Sequence, residues 1–470
     1  MGYRHHCYQL KKWDKDARDL EDTQPGMAAI PSTIHECMDL DCACTFIEGS
    51  TTATDGSCVL KDGSKLQKAL REVALEFITL QVLFRREIRT ISEDERQRLF
   101  KAMQAIKDSG EYDEFARMHK HGDMGFGAHS GPAFLGWHRE FTKRFELSIR
   151  KIDPTLSLPY YDMTLDDVLP DGQANNSVIF SKYLLGETIE THSANYINDG
   201  PFSNWNSPEG NPKINRSVGT LPGSSRPMTQ AQVDRIMSLT DIVDMLAYPF
   251  PKPDCPYKIE THYPEMAHGS GHNFVGGDMS ELMTAAIDPI FFLFHSYIDK
   301  IWEDWRQLRQ TRTERETQYP DDDSRCAAKQ HFAKNGMYPF IPLINLDGLT
   351  NNYTDFLYSY APKPTCSREE PDGCNSEFLF CDLRTSKGRC ASKMKPGARC
   401  DYWMSGENPC YLGECRQGKC VETQTKSISQ PTDRPEITHF VDSHSVKTQV
   451  EEQCYNEHKC CQSYQIIGEL

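Results

Sequence analysis

The amino-acid sequence predicts a mainly α-helical protein with a small disulfide-rich module near its C-terminus. Three observations carry this expectation. Apolar residues recur at helical spacing, as at Leu66, Leu70, Val73 and Phe77 and again at Phe141, Phe145 and Ile149. Histidines collect in two sets within or beside such stretches. Eight of the 18 cysteines fall in Cys366–Cys420, a density expected of oxidised, exported proteins.

The length, 470 residues, allows one large domain with appendages or two to three domains. A formal charge of −16 argues against nucleic acid or an anionic membrane as partner, and no basic run contradicts it. No stretch has the unbroken apolar length of a membrane helix. The N-terminal residues MGYRHHCYQLKKWDKD lack the apolar core of a signal peptide, which conflicts with the cysteine content. The expectation is therefore a secreted protein whose given N-terminus is truncated, mature or misassigned. The sequons at Asn175, Asn215 and Asn352 fit export.

Along the chain, residues 1–64 read as an irregular arm pinned by Cys7, Cys37, Cys42, Cys44 and Cys58. Residues 65–109 predict two helices, the second starting at Ser92 with Glu95 three residues on, a capping-box pattern. The stretch Glu111–Arg150 offers His119 or His121, then His129, then His138 at the head of an amphipathic helix. Residues 171–225, rich in Asn, Ser, Gly and Pro, predict a long loop region, substrate-facing or a surface excursion. A helix is expected over 228–248. In Met266–Trp305, His268 and His272 stand four apart, which places both rings on one helical face. His295 lies in the apolar run Ile290–Ile298, where an imidazole must be hydrogen-bonded, charged or metal-bound. Asp288 caps that helix, and Phe291 packs one turn before His295. Six histidines with few nearby carboxylates or thiols make two three-imidazole sites, which suit copper, zinc, iron or nickel. Cys366–Cys420 is a separate four-disulfide module whose eight cysteines allow 105 pairings. It is read as an attachment or stability element in preference to a cap over the site. Residues 421–470 are a polar linker and a tail with Cys454, Cys460 and Cys461.

The two histidine segments resemble the copper-binding regions of the tyrosinase family, the type-3 copper proteins that include catechol oxidases and molluscan haemocyanins. The first resembles H-x(n)-H-x(8)-H at His119, His129 and His138, and Pro132–Arg139 is close to PAFLPWHR with Gly136 in place of Pro. The second resembles H-x(3)-H followed by DPxFxxxH at His268, His272, Asp288, Pro289, Phe291 and His295. Leu158–Thr164 is similar to LPYWDWT with both tryptophans replaced. The match covers about residues 66–366, nearest to the secreted cysteine-rich relatives of molluscs and nematodes. The resemblance implies a four-helix bundle core holding two copper ions in a domain of residues 65–365. Its ligands would be His119, His129 and His138 for one ion and His268, His272 and His295 for the other. The position of His119 at the end of its helix favours it over His121.

Three departures bear on activity. Many tyrosinases carry Asn directly after the first histidine of the second region, where it helps a water deprotonate the phenol; here Gly269 stands there and Asn273 follows the second histidine. The water's other partner is an upstream Glu, for which Glu260 and Glu265 are the candidates. Gly127 replaces the Cys that cross-links to a histidine in many relatives. The expected function is oxidation of o-diphenols to o-quinones with O2, with hydroxylation of monophenols less favoured. Pigmentation or extracellular-matrix cross-linking would use it, with matrix proteins as partners. The rival reading is an oxygen carrier of the haemocyanin kind without turnover; a vestigial matrix protein is the third. Asp299 and Asp162 are expected as supports of the site, and Arg139 and Glu146 are expected to pair, across bundle helices or on the surface.

Overall fold

The computed structural model describes residues 2–19, 34–38, 40–47, 50–53, 58–59, 61, 65–66, 83–120, 126–170, 172–190, 195–221, 226–257, 263–403 and 406–423. All belong to the compact unit Met1–Gln424. The expected tail with Cys454, Cys460 and Cys461 lies outside them.

The N-terminal segment departs from the irregular arm expected. Gly2–Asp19 is a helix, α1, followed by a short α2 (Leu40–Phe46) beside the Cys37–Cys42 disulfide. Short strands β1 (Thr51–Thr52), β2 (Cys58–Val59) and β3 (Lys65–Leu66) pair in one antiparallel sheet. The first of the two helices expected over 65–109 therefore opens on a strand, and its residues 67–82 lie outside the described ones. The second is present as α3 (Glu93–Asp108), where the Ser92 side chain accepts from the Glu95 backbone at 3.2 Å. Gly110, at φ +80°, turns the chain into α4 (Glu111–Lys120).

Two long helices lie at the centre of the core, α5 (Phe134–Ile152) and, later in the chain, α10 (Ile290–Arg309). Phe145 of α5 stacks on Phe292 of α10 with centroids 3.9 Å apart. Both helices bury nearly their whole circumference, charged residues included. A helix buried all round needs partners for those charges, and the partners are found on the facing helix, as described below. A one-turn α6 (Thr164–Asp167) follows α5.

The described residues of 171–225 are irregular apart from 3-10 turns and the antiparallel pair β5 (Glu187–Glu190) and β6 (Asn195–Asp199). The region is tied to the core. Trp205 packs edge-on to Tyr112, and the Arg216 guanidinium grips Asp288 through two bonds of 2.5 and 2.7 Å. The single helix expected over 228–248 is two, α7 (Gln230–Ser238) and α8 (Ile242–Leu246). Asp241 caps the second, accepting from Val243, and so interrupts the run. α9 (Pro264–Val275) begins with Pro at its first turn, and a short α11 (Arg312–Thr317) follows α10. Strand β4 (Phe84–Arg85) pairs in parallel with β7 (Ser359–Tyr360), joining the two ends of the helical region.

In Cys366–Cys420 the disulfides join Cys366 to Cys381, Cys374 to Cys390, Cys400 to Cys415 and Cys410 to Cys420. Each half thus pairs first with third and second with fourth cysteine. Each half also has one hairpin, β8 (Leu379–Asp382) with β9 (Arg389–Ser392) and β10 (Gly413–Arg416) with β11 (Lys419–Glu422). The module packs on Leu165, Val168 and Leu169 in and after α6, and its Ser392 hydroxyl meets that of Ser177 at 2.8 Å. The six candidate histidines are not among those contacts.

Candidate metal centre

His119 ends α4, His129 follows the turn Phe126–Ala128, and His138 lies in the second turn of α5. One nitrogen from each ring lies within 4.8 Å of the other two. His268 and His272 project from α9 and His295 from α10, and they too offer three nitrogens within 4.8 Å of one another. The triplets meet: the His138 and His295 rings stack at 4.3 Å with planes 12° apart. All six rings are between 0% and 3% exposed. The six expected side chains therefore share one buried pocket. His121 and Glu260 lie outside the described residues.

Backbone carbonyls set three of the rings. His138 Nδ1 lies 3.0 Å from the Phe134 carbonyl, His268 Nδ1 2.5 Å from that of Glu265, and His272 Nδ1 2.8 Å from that of Met279. A proton on Nδ1 used this way leaves the Nε2 lone pair as the ligand atom. His138 Nε2 has no hydrogen-bond partner. His272 Nε2 and His295 Nε2 are 3.2 Å apart. Two nitrogens bound to one first-row ion at about 2.0–2.1 Å in tetrahedral geometry stand about 3.3 Å apart. Burial, aided by neighbouring imidazoles, pushes His138 and His295 well below the ordinary histidine range and His119 to about 3. Burial takes His272 to about 4, against the pull of the Met279 carbonyl. Near neutral pH these imidazoles are neutral, which is the ligating form. An all-imidazole donor set selects copper, zinc, iron or nickel over calcium or magnesium.

The pocket wall is aromatic. Phe291 packs on His295 at 4.1 Å and on His119 at 4.8 Å, and Phe134 sits 4.7 Å from both His138 and His268. Glu265 is buried, and its Oε1 accepts from the Ser130 backbone at 2.7 Å, while Oε2 has no partner. One carboxylate thus links α9 to the loop that carries His129. Burial pushes this carboxyl up to about 8. Gly269 and Asn273 are both buried on α9, one turn apart and so on a common face adjoining that of His268 and His272.

Three expected supports act elsewhere. Asp299 does not hold an imidazole: it accepts from Arg139 at 2.6 Å and from the Tyr358 and Tyr360 hydroxyls at 2.7 Å each. Arg139 does not pair with Glu146; it binds Asp299 and Glu303 of α10, while Glu146 binds Arg85 and Arg150. Asp162 caps α6 through the Thr164 backbone at 2.8 Å. Asp288 caps α10 as expected, accepting from Ile290 at 3.0 Å. The Arg139–Asp299 pair joins α5 to α10 one residue past His138 and one turn past His295. It locks the register of the two helices whose rings stack.

Sequence reasoning missed two further neighbours of the pocket. Trp13 of α1 lies edge-on to the His129 ring at 5.0 Å. His331, 1% exposed, backs the His129 loop so closely that a Cβ on Gly131 would stand 2.5 Å from its ring. The first had a legible signal, because Leu10, Trp13, Asp14 and Ala17 are spaced for one helical face.

Comparison with known proteins bears on this site. The pattern described as the common central domain of tyrosinase matches residues 109–308, a span that holds all six histidines. A tyrosinase-like protein of Caenorhabditis elegans is 39% identical over 484 residues, covering 98% of this chain and 66% of its own length. The chain belongs to the tyrosinase family of type-3 copper proteins. Tyrosinase-like protein 1 of Margaritifera margaritifera is 32% identical over 323 residues, 66% of this chain and 61% of that protein. The chain thus spans about two thirds of the length of these tyrosinase-like relatives. Among solved structures, a polyphenol oxidase from Thermothelomyces thermophila aligns at 20% identity and a TM-score of 0.46, over 60% of this chain and 89% of that one. The tyrosinase family's two coppers match two imidazole triplets here. Among the described residues no helix is long and apolar enough to cross a membrane.

Proposed function

We propose that this protein is a secreted dicopper phenoloxidase that oxidises o-diphenols to o-quinones with O2. The observation that supports it is the meeting of two all-imidazole triplets in one aromatic pocket. In this reading His119, His129 and His138 hold one copper and His268, His272 and His295 the other. Helices α4, α5, α9 and α10 and the loop of His129 carry these side chains, and we read the four helices as the core of the dicopper domain. The copper pair, when bound, supplies the two-electron oxidation, two catechols and one dioxygen giving two quinones and two waters.

The rest falls to this chain's own groups. Carbonyls of Phe134, Glu265 and Met279 fix three rings with Nε2 inward. Phe134 and Phe291 exclude water and offer faces to a planar ring. Glu265, with Oε2 unpartnered inside the protein, is the group to hold a phenolic proton. Gly269 supplies no side-chain amide to position a deprotonating water, so monophenols react less readily than diphenols. Asn273, one turn on, is the amide that remains. Phenolic side chains of extracellular-matrix proteins are the proposed substrates in place, with pigment precursors the small-molecule case.

The test is copper reconstitution of the full chain followed by parallel assays on DOPA and tyrosine. DOPA turnover with tyrosine slower or inert is expected. Copper uptake without DOPA turnover would remove the enzymatic reading. A second reading, oxygen binding without turnover, has one observation in its favour: no ring of the six is more than 3% exposed. Oxygen-dependent absorbance of the copper-loaded protein, with catechol left unchanged, would establish it.

A further inference from the structure

We propose that the cleft between the two halves of the C-terminal module is a binding site for a neutral saccharide. It shares no residue with the six-histidine pocket and does not depend on the phenoloxidase reading.

A cavity of about 520 Å³ opens between residues 371–393 of the first half and 406–408 of the second. That volume falls in the range of roughly 300–1,000 Å³ usual for small-ligand sites. Its frame is fixed. The disulfides Cys366–Cys381 and Cys374–Cys390 pin the wall given by the first half. The Lys393 backbone donates to the Phe378 carbonyl, and its own carbonyl accepts from Val178 outside the module, both at 2.8 Å. Phe378 stacks on Tyr411 with centroids 5.1 Å apart, which joins the two halves. The Asn408 side chain donates to the Gly413 carbonyl at 2.9 Å and accepts from the Cys410 backbone at 3.1 Å. A rigid frame lets a ligand bind without the protein first having to order itself.

The polar lining sets opposite charges beside amides: Asp372, Lys393 and Glu407, with Asn375 and Asn408. Leu379 and Phe380 give it an apolar part. Several other charges of the module are matched within it, Arg384 and Arg389 by Asp382, Arg399 by Asp401 and Arg416 by Glu414. Among the described residues the Asp372 carboxylate and the Lys393 ammonium make no hydrogen bond or ion pair. Lys393 is half-buried, and burial lowers its pKa against the pull of Glu377. A ligand that accepts from this ammonium replaces the water it has lost. Asn375 holds φ at +43°, the left-handed region that few residues other than glycine adopt and that recurs at ligand clamps. The mixture decides the ligand class. An anion would meet Asp372 and Glu407, and a cation would meet Lys393. The hydroxyls of a sugar both donate and accept, so they serve carboxylate, amide and ammonium alike. The C–H face of the same ring lies on Leu379 and Phe380.

The experiment titrates the full chain with cellobiose, maltose, lactose and N,N′-diacetylchitobiose, and separately with phenylalanine as a zwitterion that also carries both charges. Saturation-transfer NMR reads binding. The wild type is compared with Asp372→Ala, Lys393→Met and Asn375→Gly, the last of which suits the positive φ while removing the amide. Arg416→Ala, exposed and outside the cavity, is the control. At least one disaccharide should bind. Asp372→Ala and Lys393→Met should each weaken it by about tenfold or more, because each removes a charged hydrogen-bonding group, and Asn375→Gly by about three- to tenfold. Arg416→Ala should leave it unchanged. Thermal unfolding and a free-thiol count show whether each variant keeps its fold and disulfides. Absence of disaccharide binding by the wild type, binding of phenylalanine alone, or equal disaccharide binding by the wild type and the three cavity variants would each overturn the site.

Discussion

The second histidine triplet comes from two helices alone, whereas the first takes one ring from a helix end, one from a loop and one from the next helix. The difference shows in what orients the rings. His268 and His272 lean on carbonyls of Glu265 and Met279, in α9 and just beyond it. In the first triplet His138 has such a local prop, the Phe134 carbonyl one turn back. His129 rides on a loop held from outside. Glu265 grips Ser130, His331 lies against Gly131, and the Gln330 carbonyl would stand 3.2 Å from a Cβ on Gly127. One triplet is made by helix geometry and the other by tertiary support.

That contrast can be broken by experiment. The largest effect is expected from a ligand itself. His272→Ala should abolish DOPA oxidation, a loss beyond the roughly 10–100-fold typical of groups that only support a ligand. Metal analysis should show the second copper lost first, and full activity in this variant would refute the ligand assignment. Next comes the lock between the two central helices. Asp299→Ala leaves the buried Arg139 with one of its two carboxylate partners and should destabilise the protein by about 3–5 kcal/mol in denaturant unfolding. A loss under about 1 kcal/mol would show that Glu303 alone suffices for Arg139.

The sharpest comparison uses two glycines. A Cβ on Gly131 would meet the His331 ring at 2.5 Å; one on Gly271 would meet Phe294 at 2.4 Å and Met163 Sδ at 2.8 Å. Gly131→Ala should displace the His129 loop and weaken copper at the first triplet by about 10–100-fold, sparing the second. Gly271→Ala should instead overpack α9 against α10 and lower stability by about 1–3 kcal/mol. Equal weakening of both copper sites by both variants would erase the distinction.

The smallest expected effect is in acid. Burial works to raise Asp299 and Glu303, but Arg139 and its neighbours outweigh it and hold both carboxyls below their ordinary range. A depressed folded-state pKa means stability present above the unfolded value, about 4, and lost as pH falls through the folded one. Unfolding curves of the metal-free protein should weaken between pH 7 and 5, as the unfolded chain protonates histidines that burial keeps neutral, and weaken further below about pH 4 as the Asp299 and Glu303 contribution is lost. Asp299→Asn should flatten that decline.

Much of the site was legible because its chemistry needs rare residues at helical spacing. His268 and His272 four apart, and His295 in an apolar run, announce themselves without coordinates. Ser92 and Asp288 as caps were equally plain, since capping is a local interaction. The errors fall on charges whose partners are distant in sequence. Asp299 looked like a support for His295 because it lies one turn on, yet it faces Arg139 of another helix. Arg139 and Glu146 share a helix and turn to different neighbours. α1 shows in the spacing of Leu10, Trp13, Asp14 and Ala17, but that spacing does not say which surface the face meets.

By itself the sequence determined the six imidazoles, the family, the capped helices and the oxidised C-terminal module. These follow from residue identity and short-range periodicity, which the chain carries wherever it folds. Only the tertiary structure decided which charges pair between α5 and α10, how eight cysteines connect, and that α1 lies against His129. Those outcomes depend on which surfaces meet after the helices form, and long-range meeting leaves no spacing to read.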